Sequence, residues 1–224
     1  MSYQKASRVR KPEPLLALAA MDDITDLQKS AALELAAYYS RGAENPIIEQ
    51  IPLETVRKTA RMQQLLNQGG SSEVIVEFAD EAISQWPFWK RGDGFRLRGR
   101  AYSILKEGEK AESDLSEAIP WVSDPRTVES VWLALAQNRE RNLGDDDGAL
   151  GAYDAIVAGK ERIGGANQYY ALQGIAHIQT KKGQFEEALK TLERANVEKL
   201  QGSWKKNILQ SIEDVNEAKK ESAK

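Results

Sequence analysis

Arginine supplies the chemistry that this sequence offers most readily. Arg57 and Arg61, then Arg96 and Arg100, form two pairs spaced four residues apart, the interval that puts two side chains on one face of a helix. A guanidinium carries a fixed fork of donors that matches a carboxylate two bonds at a time. Arginines that share a surface would therefore suit an acidic peptide or an acidic protein tail, and which of these four do so depends on the fold. A local reading competes with this one, in which the same arginines form surface ion pairs with Glu54, Asp93 and their neighbours, contacts worth little in free energy. The segment QWPFWKRGDGFRLRGR interleaves Trp86, Phe88 and Trp89 with Lys90, Arg91, Arg96, Arg98 and Arg100. Aromatics among cations can stack on single-stranded bases, but tryptophans at a junction between helix pairs more often pack between them.

Other chemistry finds few residues to work with. The chain has no cysteine, which excludes disulfides, thiolate catalysis and cysteine-held metals. Its one histidine, His177, excludes an all-histidine metal site and has no nucleophile motif beside it. Asp145, Asp146 and Asp147 before Gly148 lack the alternating ligands and the distant glutamate of an EF-hand; they suit a helix N-terminus, where negative charge is favoured. Gly92, Gly94 and Gly99 have the wrong spacing for a dinucleotide fingerprint, and no strand precedes them. No catalytic residue, metal or cofactor is expected. A formal net charge of -3 argues against bulk attraction to nucleic acid.

At 224 residues and 41% hydrophobic content the chain can bury a continuous core. Lys5, Arg8, Arg10 and Lys11 before the apolar run from Leu15 to Ala20 mimic a secretory signal. The run is short, follows Pro12 and Pro14 and meets Asp22 and Asp23 at once, so it reads as no signal. Nothing approaches the roughly 20 apolar residues of a membrane span. The expectation is a cytoplasmic protein with a basic, flexible segment over 1–24.

Helical periodicity begins at Thr25. Leu27, Ala31, Leu35 and Tyr38 or Tyr39 predict a helix over 25–41, ending at Gly42. Residues 43–52 carry two prolines and read as a connection. A helix after Pro52 stops at Gly69 and Gly70, and Ser71 or Ser72 caps the next one, which ends before Pro87. Thereafter Gly108, Pro120 with Pro125, Gly144 with Gly148, Gly159 with Gly164 and Gly165, and Gly183 separate predicted helices over 93–106, 109–119, 126–142, 147–158, 166–182 and 184–196. A last helix follows Gly202 with Ser203 as N-cap, and Trp204, Ile208, Ile212 and Val215 share its apolar side.

Within these helices small residues recur where two helices must touch. Gly99, Ala111 and Ala118 are followed by Ala136 and Ala149, then Ala176, Ala188 and Ala195. The spacing, together with the large and aromatic residues between them, resembles the tetratricopeptide repeat. Its clearest copies are YALQGIAHIQTKKGQFEEALKTLERA and RGRAYSILKEGEKAESDLSEAI; a third, VWLALAQNRERNLGDDDGALGAYDAI, has one extra residue in its turn. Equivalent positions lie 37 and 40 residues apart, from Gly99 to Ala136 to Ala176, longer than the usual repeat of about 34.

The resemblance implies an all-α, right-handed solenoid of helix-turn-helix repeats over about 53–87, 93–120, 126–158 and 166–196, closed by a capping helix over 203–220. It also implies a concave groove lined by the first helix of each repeat, three residues before and one after the small residue. That rule selects Arg57, Arg61, Arg96, Arg100, Leu133, Gln137, Gln173 and His177. Family members that clamp a terminal carboxylate place an asparagine after the small residue; here the position holds Arg61, Arg100, Gln137 or His177, so that clamp is not expected. The function expected is a non-catalytic adaptor or assembly factor that holds a peptide or partner segment, an acidic one being the natural ligand. The alternatives are a self-assembling structural protein and, less favoured, an RNA-binding repeat protein.

Overall fold

A computed structural model describes residues 11–40, 45–83, 87–158, 160 and 164–222. Its described residues form helices joined by turns and contain no strand. The chain divides into two compact units, Met1–Leu105 and Lys106–Lys224. The boundary falls inside the predicted repeat 93–120, so the two helices of that repeat belong to different units.

The first unit contains α1 (Pro12–Ala19), α2 (Asp26–Ser40), the short α3 (Pro46–Glu49), α4 (Glu54–Asn67), α5 (Ser72–Ala82) and α6 (Phe88–Ile104). Helix α1 lies within the segment expected to be flexible. Leu15, Leu18 and Ala19 form an apolar stripe along it and are buried, with Pro12 preset at the first helical turn. That stripe packs on α2, whose Ala32, Leu33, Ala36 and Ala37 are buried in the same cluster. The stretch expected as a plain connection includes α3, held because the Asn45 amide donates to the Ala37 carbonyl at 2.7 Å while Ile48 and Ile51 are buried. Between α4 and α5 the chain turns at Gly69, whose φ of +66° suits a residue without a β-carbon. Ser71 then caps α5 by accepting from Val74 N at 3.4 Å.

The second unit contains α7 (Gly108–Ala118), α8 (Pro125–Asn138), α9 (Asp146–Val157), α10 (Ala166–Lys181), α11 (Phe185–Glu193) and α12 (Gly202–Ser222). Each packs on the next, and α8 and α12 also touch α10. The small residues Ala111, Ala118, Ala136, Ala149, Ala176, Ala188 and Ala195 are all buried. From Ala136 onward they share one core with Tyr153, Ile156, Leu172, Ile178 and Leu192, which reaches Ile208 and Val215 of α12.

The extra residue before α9 has a specific fate. Over Arg139–Leu143 the helix widens into one π-turn, closed by the Gly144 N–H donating to the Arg139 carbonyl. A π-turn takes up one inserted residue without breaking the helix. Gly108 differs from its expected role as a helix breaker. The left-handed residue in that turn is Lys106, φ +62°, while Gly108 opens α7 and is buried. A β-carbon there would stand 2.7 Å from Leu143 Cδ2, so the glycine serves close packing against the end of the π-turn.

Candidate anion-binding site

In the first unit three helices bring charged side chains into a largely buried cluster. Lys90, in the first turn of α6, is 5% exposed. Its ammonium donates to Glu34 of α2 at 2.7 Å and to Asp93 one turn on at 2.6 Å. Thr59 of α4 donates to the same Glu34 oxygen at 3.2 Å. Burial alone would push the Lys90 ammonium down, but the two carboxylates outweigh it and raise its pKa. Asp93 shows the converse balance: burial would raise it, yet Lys90 and Arg96 hold it below the usual carboxylate range. The Lys90 ammonium is thus paired with both carboxylates.

Arg96 and Arg100 continue along α6 from this triad. Arg96 donates to Gln63 of α4 at 3.1 Å and to Asp93 at 3.5 Å. Its Nε is buried without a hydrogen-bond partner. Arg100, one helical turn further, is half-buried, and no described group forms a hydrogen bond or ion pair with it. Burial, and then the charge of Arg96, push its guanidinium below its usual value, while the Tyr38 phenol opposes them. Arginine does not lose its proton in the accessible pH range, so the shift records a destabilised charge. Lys90 and Arg96 share the carboxylates of Glu34 and Asp93, and no described carboxylate pairs with Arg100.

The four arginines of the expected groove therefore separate by role. Arg57 of α4 donates to the Ile51 carbonyl at 3.2 Å, and Arg61 donates to Gln64 at 3.0 Å and pairs with Glu49. Both act as ties within the α3–α4 region. Arg96 and Arg100 occupy the cluster. The local reading of Arg96 holds in part, since Asp93 is its partner, but the side chain is 12% exposed and the pair is no surface ion pair.

In the second unit, Gln173 of α10 donates to Ser211 Oγ at 3.0 Å and to the Asn207 carbonyl at 3.4 Å, fastening α10 to α12. Gln137 is half-buried and Leu133 packs on the core. The His177 ring is exposed, with Nε2 3.7 Å from Glu140 of the π-turn. The other Glu140 oxygen accepts from Tyr153 Oη at 2.7 Å, and burial, then that bond, raise the Tyr153 pKa. Tyr153 reaches it only because α10 has Gly174, where a β-carbon would lie 2.3 Å from the ring. Asp145 caps α9 at Gly148 N, and Asp146 and Asp147 pair with Lys181 and Lys182, so the acidic triplet is spent on structure.

Of the aromatic-basic segment, Trp86 and the side chains of Phe88 and Trp89 lie outside the described residues. Glu34 and Tyr38 were not selected by spacing, because they come from a helix more than fifty positions before Lys90 and Arg100; only the tertiary fold joins them. Among the described residues no helix is long and apolar enough to cross a membrane. Compared with protein-family models, curated proteins and solved structures, the chain matches none of them.

Proposed function

We propose that this chain is a non-catalytic binding module of tetratricopeptide-like helix pairs, an adaptor or assembly factor whose first unit takes an acidic segment of a protein partner. The observation that supports it is Arg100, a half-buried guanidinium that makes no hydrogen bond or ion pair with any of the described residues and lies one helical turn from a second arginine. Folding has already removed much of its water, so a carboxylate arriving there meets an unpaired fork in a medium where charge attraction exceeds its value in bulk water. Apolar contacts would supply the remaining affinity, and the basic cluster would set orientation and encounter rate.

Affinity capture tests the reading. The intact protein is compared with a variant carrying Arg96→Glu and Arg100→Glu and with one carrying Arg57→Glu and Arg61→Glu. The expected result is loss of one specific partner from the first variant alone, with helicity by circular dichroism intact. A set of partners unchanged by reversal at Arg96 and Arg100 overturns it.

A further inference from the structure

The basic cluster supports a narrower statement about what the site recognises. Arg96 is tied on two sides, to Gln63 and Asp93, and its remaining Nε is out of reach of solvent. Arg57 and Arg61 are engaged within α3–α4. Of these arginines, Arg100 combines partial access with a fork that no described group engages. Tyr38, on α2, is 59% exposed and its phenol interacts with the Arg100 charge. It stands edge-on to Tyr39, ring centroids 5.5 Å apart.

We infer that Arg100, with Tyr38 beside it and Arg96 behind it, forms a receptor for a single oxyanion, either a carboxylate or a phosphate group, and that filling it stabilises the first unit. The anion accepts from the Arg100 fork. Arg96 is a positioning residue: held by Gln63 and Asp93, it adds positive field without touching the ligand. The empty site carries the mutual repulsion of Arg96 and Arg100, so an anion that binds only the folded state raises stability in a saturable way. The inference rests on the acidic-partner reading for its biological ligand, but its chemistry is testable alone.

The test is thermal unfolding of the full chain, titrated with inorganic phosphate or glutarate against sodium chloride at matched ionic strength. The parent and Arg57→Gln proteins are expected to show a saturable rise in melting temperature with at least one anion. Arg100→Gln is expected to melt at or above the parent without anion, since it removes the repulsion, and to show no rise. A response to phosphate alone assigns the phosphate group, and one to glutarate alone the carboxylate. Equal rises in parent and Arg100→Gln, or none in either, overturn the receptor. If the rise is seen but a labelled polyglutamate peptide does not bind, the receptor stands and the acidic-partner reading falls. If the peptide binds the parent and Arg100→Gln alike with no small-anion effect, the receptor at Arg100 falls and only acidic binding through other residues survives.

Discussion

The basic side chains of the first unit's cluster divide between Lys90 and Arg96, which spend their charge on the fold, and Arg100, which no described group engages. Lys90 belongs to the first group. Breaking a buried ion pair by removing one partner leaves the other charge stranded, so Lys90→Met is expected to destabilise the first unit by about 3–5 kcal/mol in denaturant titrations. Arg57→Gln, which removes one bond to a backbone carbonyl, should cost far less. The pH dependence follows from the directions of the shifts. Asp93 is depressed in the folded state, so its contribution is complete above the unfolded carboxylate value of about 4 and fades as pH falls through its lower folded value. Lys90 is raised, so its contribution is complete below about 10.4 and fades above it. In the Lys90→Met protein, where Asp93 has lost its closest cation, the acid loss should begin at higher pH, and acid titration of stability by circular dichroism checks it. In the second unit Gly174→Ala puts a methyl into the Tyr153 ring and is expected to cost about 1–3 kcal/mol through overpacking. A protein that melts like the parent would contradict the Tyr153 placement.

At the scale of elements, the links between helices are the quantities to perturb. Asn138 is fully buried and donates to the Gly108 carbonyl at 2.8 Å, joining the end of α8 to the start of α7. Asn138→Ala leaves that acceptor bare and should cost about 1–3 kcal/mol, read from chemical unfolding. Ala188→Leu forces a larger side chain between α10 and α11 and should lower the melting temperature by a comparable free energy. The helices themselves were legible from sequence because their apolar residues recur at helical spacing and glycines or prolines punctuate them. Ala136, Ala149, Ala176 and Ala188, picked out as contact points, are all buried. Helix α1 was not legible, since a short run beside basic residues gives no sign of a partner; its burial depends on the alanine face of α2. The role of Gly108 was hidden for the same reason, because Leu143 lies 35 positions away in sequence. The arginine pairs were visible as pairs, but their division into structural and free members depends on Glu34, Gln63 and Glu49, which no local pattern connects to them.

For the whole molecule, the two units make separable predictions. Lys90→Met should affect protection of the first unit's helices in hydrogen exchange, and Gly174→Ala that of the second, each chiefly within its own unit. Acidic binding at Arg100 is tested by fluorescence anisotropy of a short labelled polyglutamate peptide, titrated with the parent protein, with Arg100→Gln and with the double variant Arg57→Gln, Arg61→Gln, at low and high salt. The expected result is binding by the parent that weakens with salt, near-parental binding by the double variant, and at least a roughly tenfold loss in Arg100→Gln, since a charge-assisted bidentate contact is removed. Parental affinity in Arg100→Gln, or loss in the double variant alone, would contradict it.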